Sequence, residues 1–269
     1  MPIHVRTAAA VLTVVSFAAA WPDARIQSQE QATCARTWVG REPEIEAYLK
    51  TAKVAKMTET PVGVTKPSKA LLEPGGPVAA MAWKPLAPRM RGGYWESYKS
   101  EIAAYQLDKL LQLEMVPPKV ERTLRGDVGV AVMWASPAAS FRERGGVPPP
   151  PSGQIPQWTR QLVRAKMFDN LIANIDPNLG NWLVDPDGHI ILIDHSRAFT
   201  TTKRLVHELN NVDQALWERM QALDEAALTT ALGGWIGKHE IRAILERRER
   251  LGKAIGRLIA SKGQSVVMR

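Results

Sequence analysis

The sequence predicts a bilobal α+β fold, with a strand-rich first half and a helix-rich second half. Three observations predict it. Short apolar runs broken by turn residues dominate residues 60–135. Helical periodicity takes over from Pro156 to the C-terminus. Between them, residues 137–153 hold five prolines and three glycines with little periodicity, the composition of a connector. At 269 residues and 45% hydrophobic content, the chain can bury a core in each lobe. It contains no internal repeat.

Taken in order, the elements begin with a short helical pattern over residues 36–55, around Pro43 to Leu49. Gly63 to Lys69 reads as a turn between two strands, and Val78 to Pro85 as a strand ending at Lys84. Gly92-Gly93 is a flexible link. Residues 96–113 form a helix with Ala103, Leu107, Leu110 and Leu111 on one face, stopped by Pro117-Pro118. Gly129 to Trp134 is a further strand. The four prolines at 148–151 form a stiff spacer. Residues 157–173 make one helix, a β-hairpin follows, and three or four helices complete the chain.

The hairpin carries the most informative residues. Asn181 to Val184 and His189 to Ile193 are apolar and β-branched, and Asp185-Pro186-Asp187-Gly188 between them is a strong turn signal. Antiparallel pairing then brings Asn181, at the start of one strand, beside Asp194, at the end of the other. Asp176 lies in the loop just before. The Asp-x-Asp-Gly turn is similar to a calcium loop, but that loop's third acidic ligand and later Glu are missing. Phosphoryl transfer asks a protein for positioning and charge neutralisation rather than covalent chemistry. One carboxylate must orient the acceptor hydroxyl; an Asn and a second carboxylate suit a hard divalent cation.

Residues 1–24 have the pattern of a secretory signal. Arg6 is followed by the apolar stretch Ala8 to Ala20, with Ala18-Ala19-Ala20 or Ala24 as the cleavage site. The apolar run is shorter than the roughly 20 residues of a membrane span, so no stable span is expected after cleavage. Export to a bacterial periplasm or to the cell exterior follows. Cys34 is the only cysteine, which excludes an intrachain disulfide. The net charge of +8 invites a nucleic-acid reading. Many of the charges, among them Arg247, Arg248, Arg250, Lys253 and Arg257, alternate with Ile241, Ile244, Leu251, Ile255 and Leu258 at helical spacing. They read as the solvated face of an amphipathic helix. No nucleic-acid motif accompanies them.

Lys84-Pro85, Glu101 to Leu111 with Val116-Pro117-Pro118, Asp169 to Asp176, Gly180-Asn181 and Ile193 to Phe199 together resemble the protein-kinase-like superfamily. The likeness is to the atypical branch that includes the secretory-pathway kinases of the Golgi, the HipA-type kinases and the phosphatidylinositol 4-kinases. It implies a protein-kinase-like fold with a strand-rich N-lobe and a helical C-lobe. The expected division is a signal over 1–24, a helical extension over 25–59, the N-lobe over 60–136, the connector over 137–153 and the C-lobe over 154–269. It also implies roles. Asp176 is the catalytic-loop acid that orients the acceptor hydroxyl and accepts its proton; Asn181 and Asp194 are metal ligands. Lys84 contacts the α- and β-phosphates, and Glu101 pairs with it. Helical phase places Glu101 beside Tyr98 and Tyr105, so Glu96 is the alternative partner. Gly63 to Lys69 would cover the phosphates, and Met133 to Ala135 would lie at the adenine hinge. Asp169 and Asn174 read as structural supports, as do His189 and His195.

The cofactors implied are ATP with Mg²⁺ or Mn²⁺, and the partner is a hydroxyl-bearing acceptor: protein, sugar or small molecule. The sequence departs from the family in three ways. Gly63 is the only glycine of the phosphate loop. His195-Ser196 follows Asp194. Pro177-Asn178 stands after Asp176, where related kinases usually carry Arg-His, removing a basic group. Three functions are compatible: an exported kinase, a pseudokinase that keeps the fold as a binding module, and a nucleotidyl transferase that moves AMP. Scarcity of ATP outside the cytoplasm favours the second. The complete set of Lys84, Glu101, Asp176, Asn181 and Asp194 favours the first.

Overall fold

The computed structural model describes Met1 and residues 35–60, 67–176 and 178–268. The signal, Cys34 and Gly63 lie outside the described residues.

The first lobe is an antiparallel sheet of five strands in the order β1-β2-β3-β7-β6, covered by two helices. Its strands are β1 (Val54–Glu59), β2 (Ser68–Leu72), β3 (Ala80–Lys84), β6 (Lys119–Leu124) and β7 (Asp127–Met133). Helix α1 (Glu42–Thr51) begins at a proline in its first turn and buries Ile45 and Leu49. The helical pattern expected over 36–55 is therefore shorter, and Val54 opens a strand. Burial explains why β3 and β7 form the centre: Met81, Trp83, Ala131 and Met133 are all buried in one apolar cluster with Ala70 and Ile191. The register pairs Lys84 with Val130. A Cβ on Gly129 would lie 2.4 Å from the Lys84 carbonyl oxygen and 2.7 Å from Pro85 Cα. Only glycine lets β7 pass so close to the end of β3.

Gly92-Gly93 is no loose link. The two glycines, at φ 54° and 83°, close a two-residue hairpin between β4 (Arg89–Arg91) and β5 (Tyr94–Glu96). Positive φ at both central positions matches the right-handed twist of paired strands. Helix α2 (Tyr98–Leu110) starts immediately after, because Ser97 accepts a hydrogen bond from the Lys99 amide as its N-cap.

The second lobe is built on α3 (Ile155–Ile172), α4 (Gln214–Gln221), α5 (Glu225–Leu232), α6 (Lys238–Lys262) and α7 (Gln264–Val267). A small sheet faces the first lobe: β8 (Ala139–Ser140), β9 (Trp182–Val184) and β10 (Ile190–Leu192), in the order β10-β9-β8. The connector therefore gives a short strand to the hairpin. Phe141 pins it there, with ring centroids 5.8 Å from Trp182 and 5.9 Å from Trp158. The Asp185 turn forms as its residues predict: Gly188 sits at φ 83° and Asp185 Oδ1 accepts the His189 amide. Among the described residues no helix is long and apolar enough to cross a membrane.

The C-terminal helix corrects one expectation. Arg247 does not belong to a solvated face; it is fully buried. Its Nε donates to the Leu171 carbonyl, and one terminal nitrogen donates to the carbonyls of Thr200 and Thr202. An arginine is tolerated inside because backbone oxygens of the loop after Asp194 need donors there. Burial lowers its pKa to about 10.

Candidate active site

The site lies where β3, α2, β6 and the end of the β9–β10 hairpin converge. Lys84 Nζ donates to Glu101 Oε1 at 2.6 Å and to Asp194 Oδ1 at 3.0 Å. Glu101, on α2, is completely buried. Its other oxygen receives Lys119 Nζ, from the first residue of β6, and the His195 amide at 3.2 Å. Burial alone would raise Glu101, but Lys119 and Lys84 hold it well below the ordinary carboxylate range. Burial alone would lower Lys84; Asp194 and Glu101 override it and raise the ammonium. Glu101 is thus the partner of Lys84. Glu96, the alternative, faces the other way and pairs with Arg197.

Asp194 turns the chain at the end of β10 with φ 59°, a left-handed conformation that Asp tolerates better than most residues. That turn aims its carboxylate back at Lys84, and the Ser196 hydroxyl donates to the same oxygen at 3.2 Å. Asn181 lies beside it: the Ile193 amide donates to the Asn181 carbonyl at 3.0 Å. The Asn181 side-chain amide donates to the Asp176 carbonyl at 3.1 Å, which leaves its Oδ1 as the oxygen able to face a cation. Among the described residues no group of three or more His, Cys, Asp or Glu gathers as a self-sufficient metal centre. The donor set fits a cation that takes one carboxylate and one amide oxygen from the protein and the rest from phosphates and water, the habit of magnesium.

Asp176 sits on a loop that side chains organise. Asn174 Nδ2 donates to Asp169 Oδ1 at 2.9 Å, and His207 lies 3.3 Å from the other Asp169 oxygen. Asp169 and Asn174 are the supports expected of them. Asn178, noted in sequence only as a departure, is the loop's second organiser. Its Nδ2 donates to Asp176 Oδ1 at 3.0 Å, while its Oδ1 accepts the Gly180 amide at 2.8 Å and Arg142 at 2.9 Å. Asn-x-Gly is a local side-chain-to-backbone turn signal, so the sequence held the clue.

The sequence assigns no site role to three further residues. Lys119, Arg197 and Gly129 lie far in sequence from the residues they touch. Met133 ends β7 at the lobe boundary, where its amide donates to the Pro118 carbonyl and that of Trp134 to Ala80. Two of the three amides of the expected adenine hinge are therefore engaged within the protein. His195 is buried, and burial followed by Lys119 drives its pKa well below the ordinary value. The neutral ring stands edge-on to Phe168, with centroids 6.0 Å apart, so its role is structural.

No family model matches this chain, and no curated relative does. Solved structures do. The structure of hydra Fam20 with sugar superposes with a TM-score of 0.64 at 15% identity, covering 85% of this chain and 92% of that one. The Golgi casein kinase with Mn/ADP bound gives 0.64 at 14% identity, covering 84% and 78%. The Helicobacter pylori proinflammatory kinase CtkA gives 0.53 at 11% identity, covering 80% and 98%. The five-stranded lobe and the helical lobe are those of an atypical protein-kinase-like fold.

Proposed function

We propose that this protein is an exported phosphotransferase that moves the γ-phosphoryl group of ATP to a hydroxyl acceptor with the help of a divalent cation. The observation that carries this reading is the closed set Glu101–Lys84–Asp194, three charged groups from three separate elements joined by bonds of 2.6 and 3.0 Å. A charge cluster of this kind is costly to bury unless each member is paired, and Ile193, next to Asp194, bonds Asn181, whose side chain in turn bonds the Asp176 carbonyl. The Mn/ADP bound in the structurally similar Golgi casein kinase supports a nucleotide and a divalent cation here. The signal pattern of residues 1–24 supports export.

In this reading Lys84 holds the α- and β-phosphates. Asp176 receives the proton of the acceptor hydroxyl as its oxygen bonds to the γ-phosphorus, and ADP departs with the bridging oxygen. Asn181 and Asp194 would hold the Mg²⁺ or Mn²⁺, which supplies neutralising charge to the phosphates when bound. The acceptor is a protein, sugar or small-molecule hydroxyl.

Thermal melting with ATP and Mg²⁺ or Mn²⁺ tests the reading, beside Asp194→Ala. A ligand at about 100 times its Kd adds about 2.7 kcal/mol to stability, a rise of about 5–10 °C in a domain of this size. That rise is expected with metal present and absent in the variant. No rise with any nucleotide or metal would make the chain a pseudokinase.

A further inference from the structure

The catalytic loop lacks the basic residue that related kinases place after the acid, yet Asp176 is not without a cation. Arg197 NH1 donates to Asp176 Oδ2 at 3.2 Å. This arginine comes from the segment after Asp194, not from the loop. We propose that Arg197 is the positioning residue for Asp176 and replaces the missing loop cation, held for that task by the β4–β5 hairpin. The inference rests on the phosphotransferase reading above.

The guanidinium has little freedom to do anything else. Nε and NH2 both bond to Glu96 Oε1, at 2.8 and 2.7 Å. Glu96 is buried, at 1% exposure, so this grip is poorly screened. The Tyr94 ring covers the guanidinium 4.6 Å from Cζ. With two nitrogens bound and a face stacked, only NH1 remains, and it points at Asp176. The backbone reinforces the arrangement, because the Ser97 amide donates to the Ser196 carbonyl at 3.0 Å. Tyr94 and Glu96 alternate onto one side of β5, which is why a three-residue strand can both stack and grip the same arginine.

The chemistry asks for such a group. Asp176 must sit near a triphosphate and Asp194 while staying available to a hydroxyl. Asn178 binds one of its oxygens and Arg197 the other. Each carboxylate oxygen has a second lone pair, so the acceptor O–H can still be received. A planar, permanently charged fork fixes the direction of the carboxylate in a way that a mobile lysine would not.

The test is a double-mutant cycle on the full chain, read as phosphate release from ATP with Mn²⁺, water being the acceptor. Arg197→Met keeps the aliphatic stem beneath Tyr94 and removes the charge. It should lower kcat about 100-fold, the scale of a misaligned reacting group, while the ATP-induced rise in melting temperature persists. Arg197→Lys should recover part of the loss. In an Asp176→Asn background, Arg197→Met should cause no further fall, because the arginine acts through that carboxylate. Additive losses, a kcat equal to wild type, or loss of turnover together with nucleotide binding would each overturn the proposal. A wild-type protein that neither binds nor turns over ATP would overturn the phosphotransferase reading itself, and this inference with it.

Discussion

Lys84 and Glu101 form an ion pair of 2.6 Å in which the carboxylate is wholly buried and shared with a second lysine, Lys119. One acid between two ammonium groups is a stable arrangement only while all three stay together. The pair joins β3 to α2, and Lys119 joins β6 to both. The fold of the first lobe and the placement of Lys84 are therefore one electrostatic unit.

Glu101→Gln should test that unity. It takes the acid from buried Lys119 and leaves Lys84 with Asp194 alone, and removing one partner of a buried pair costs about 3–5 kcal/mol. Urea unfolding should show a loss of that order, and the ATP-dependent thermal shift should vanish. Glu96→Gln, whose acid does not touch Lys84, should leave nucleotide binding intact.

Gly129→Ala should act on Lys84 without changing any charged group. The new methyl would meet backbone at 2.4 and 2.7 Å, not a side chain that can swing aside. Overpacking of this kind costs about 1–3 kcal/mol. The expected outcome is lower stability by urea unfolding and weaker ATP binding by calorimetry. Unchanged affinity would show that β3 can shift without moving the lysine.

Asp108 should give the protein a pH-dependent stability. Burial pushes this carboxyl up to about 7, against the opposing pull of the Met115 and Val116 amides that it accepts at 3.0 Å. Its unfolded value lies near 3.8. Between these values the folded state holds a proton that the unfolded state has lost, so this group's contribution to stability falls as pH rises from about 4 to 7. His195, kept neutral by burial, has the opposite sign below its ordinary value of 6.5. Asp108→Asn removes the first effect and leaves the second. Unfolding free energies at pH 5 and pH 8 should show the variant gaining on wild type at the higher pH; a constant difference would mean that Asp108 titrates normally.

Much of the site was legible because its signals are local. Asp176, Asn181 and Asp194 fall within nineteen residues, around a turn whose Asp and Gly announce it. Lys84 ends an apolar run, and Glu101 falls within the helix expected over residues 96–113. Where the reading failed, the deciding contact was distant. Helical phase left Glu96 as a rival for Lys84 because periodicity reports which face is apolar, not what charge lies beyond it. Helical spacing puts Arg247 on the solvent face for the same reason: its partners are carbonyls of Leu171, Thr200 and Thr202, invisible in a helical pattern. Gly92-Gly93 predicts a flexible link because a pair of glycines permits both a tight turn and a loose one.

By itself the sequence determined the two-lobed α+β plan, the β9–β10 hairpin and the order of the charged residues along it. These follow from turn chemistry and from the periods of strand and helix, which act over a few residues. The tertiary structure alone decided which charges meet. It gave Glu101 to Lys84 and Lys119, Glu96 to Arg197, and Arg197 to Asp176, across separations of up to 101 residues. A buried charge must find an opposite charge or a hydrogen-bond partner wherever the packed core brings one, and that choice is made in space rather than along the chain.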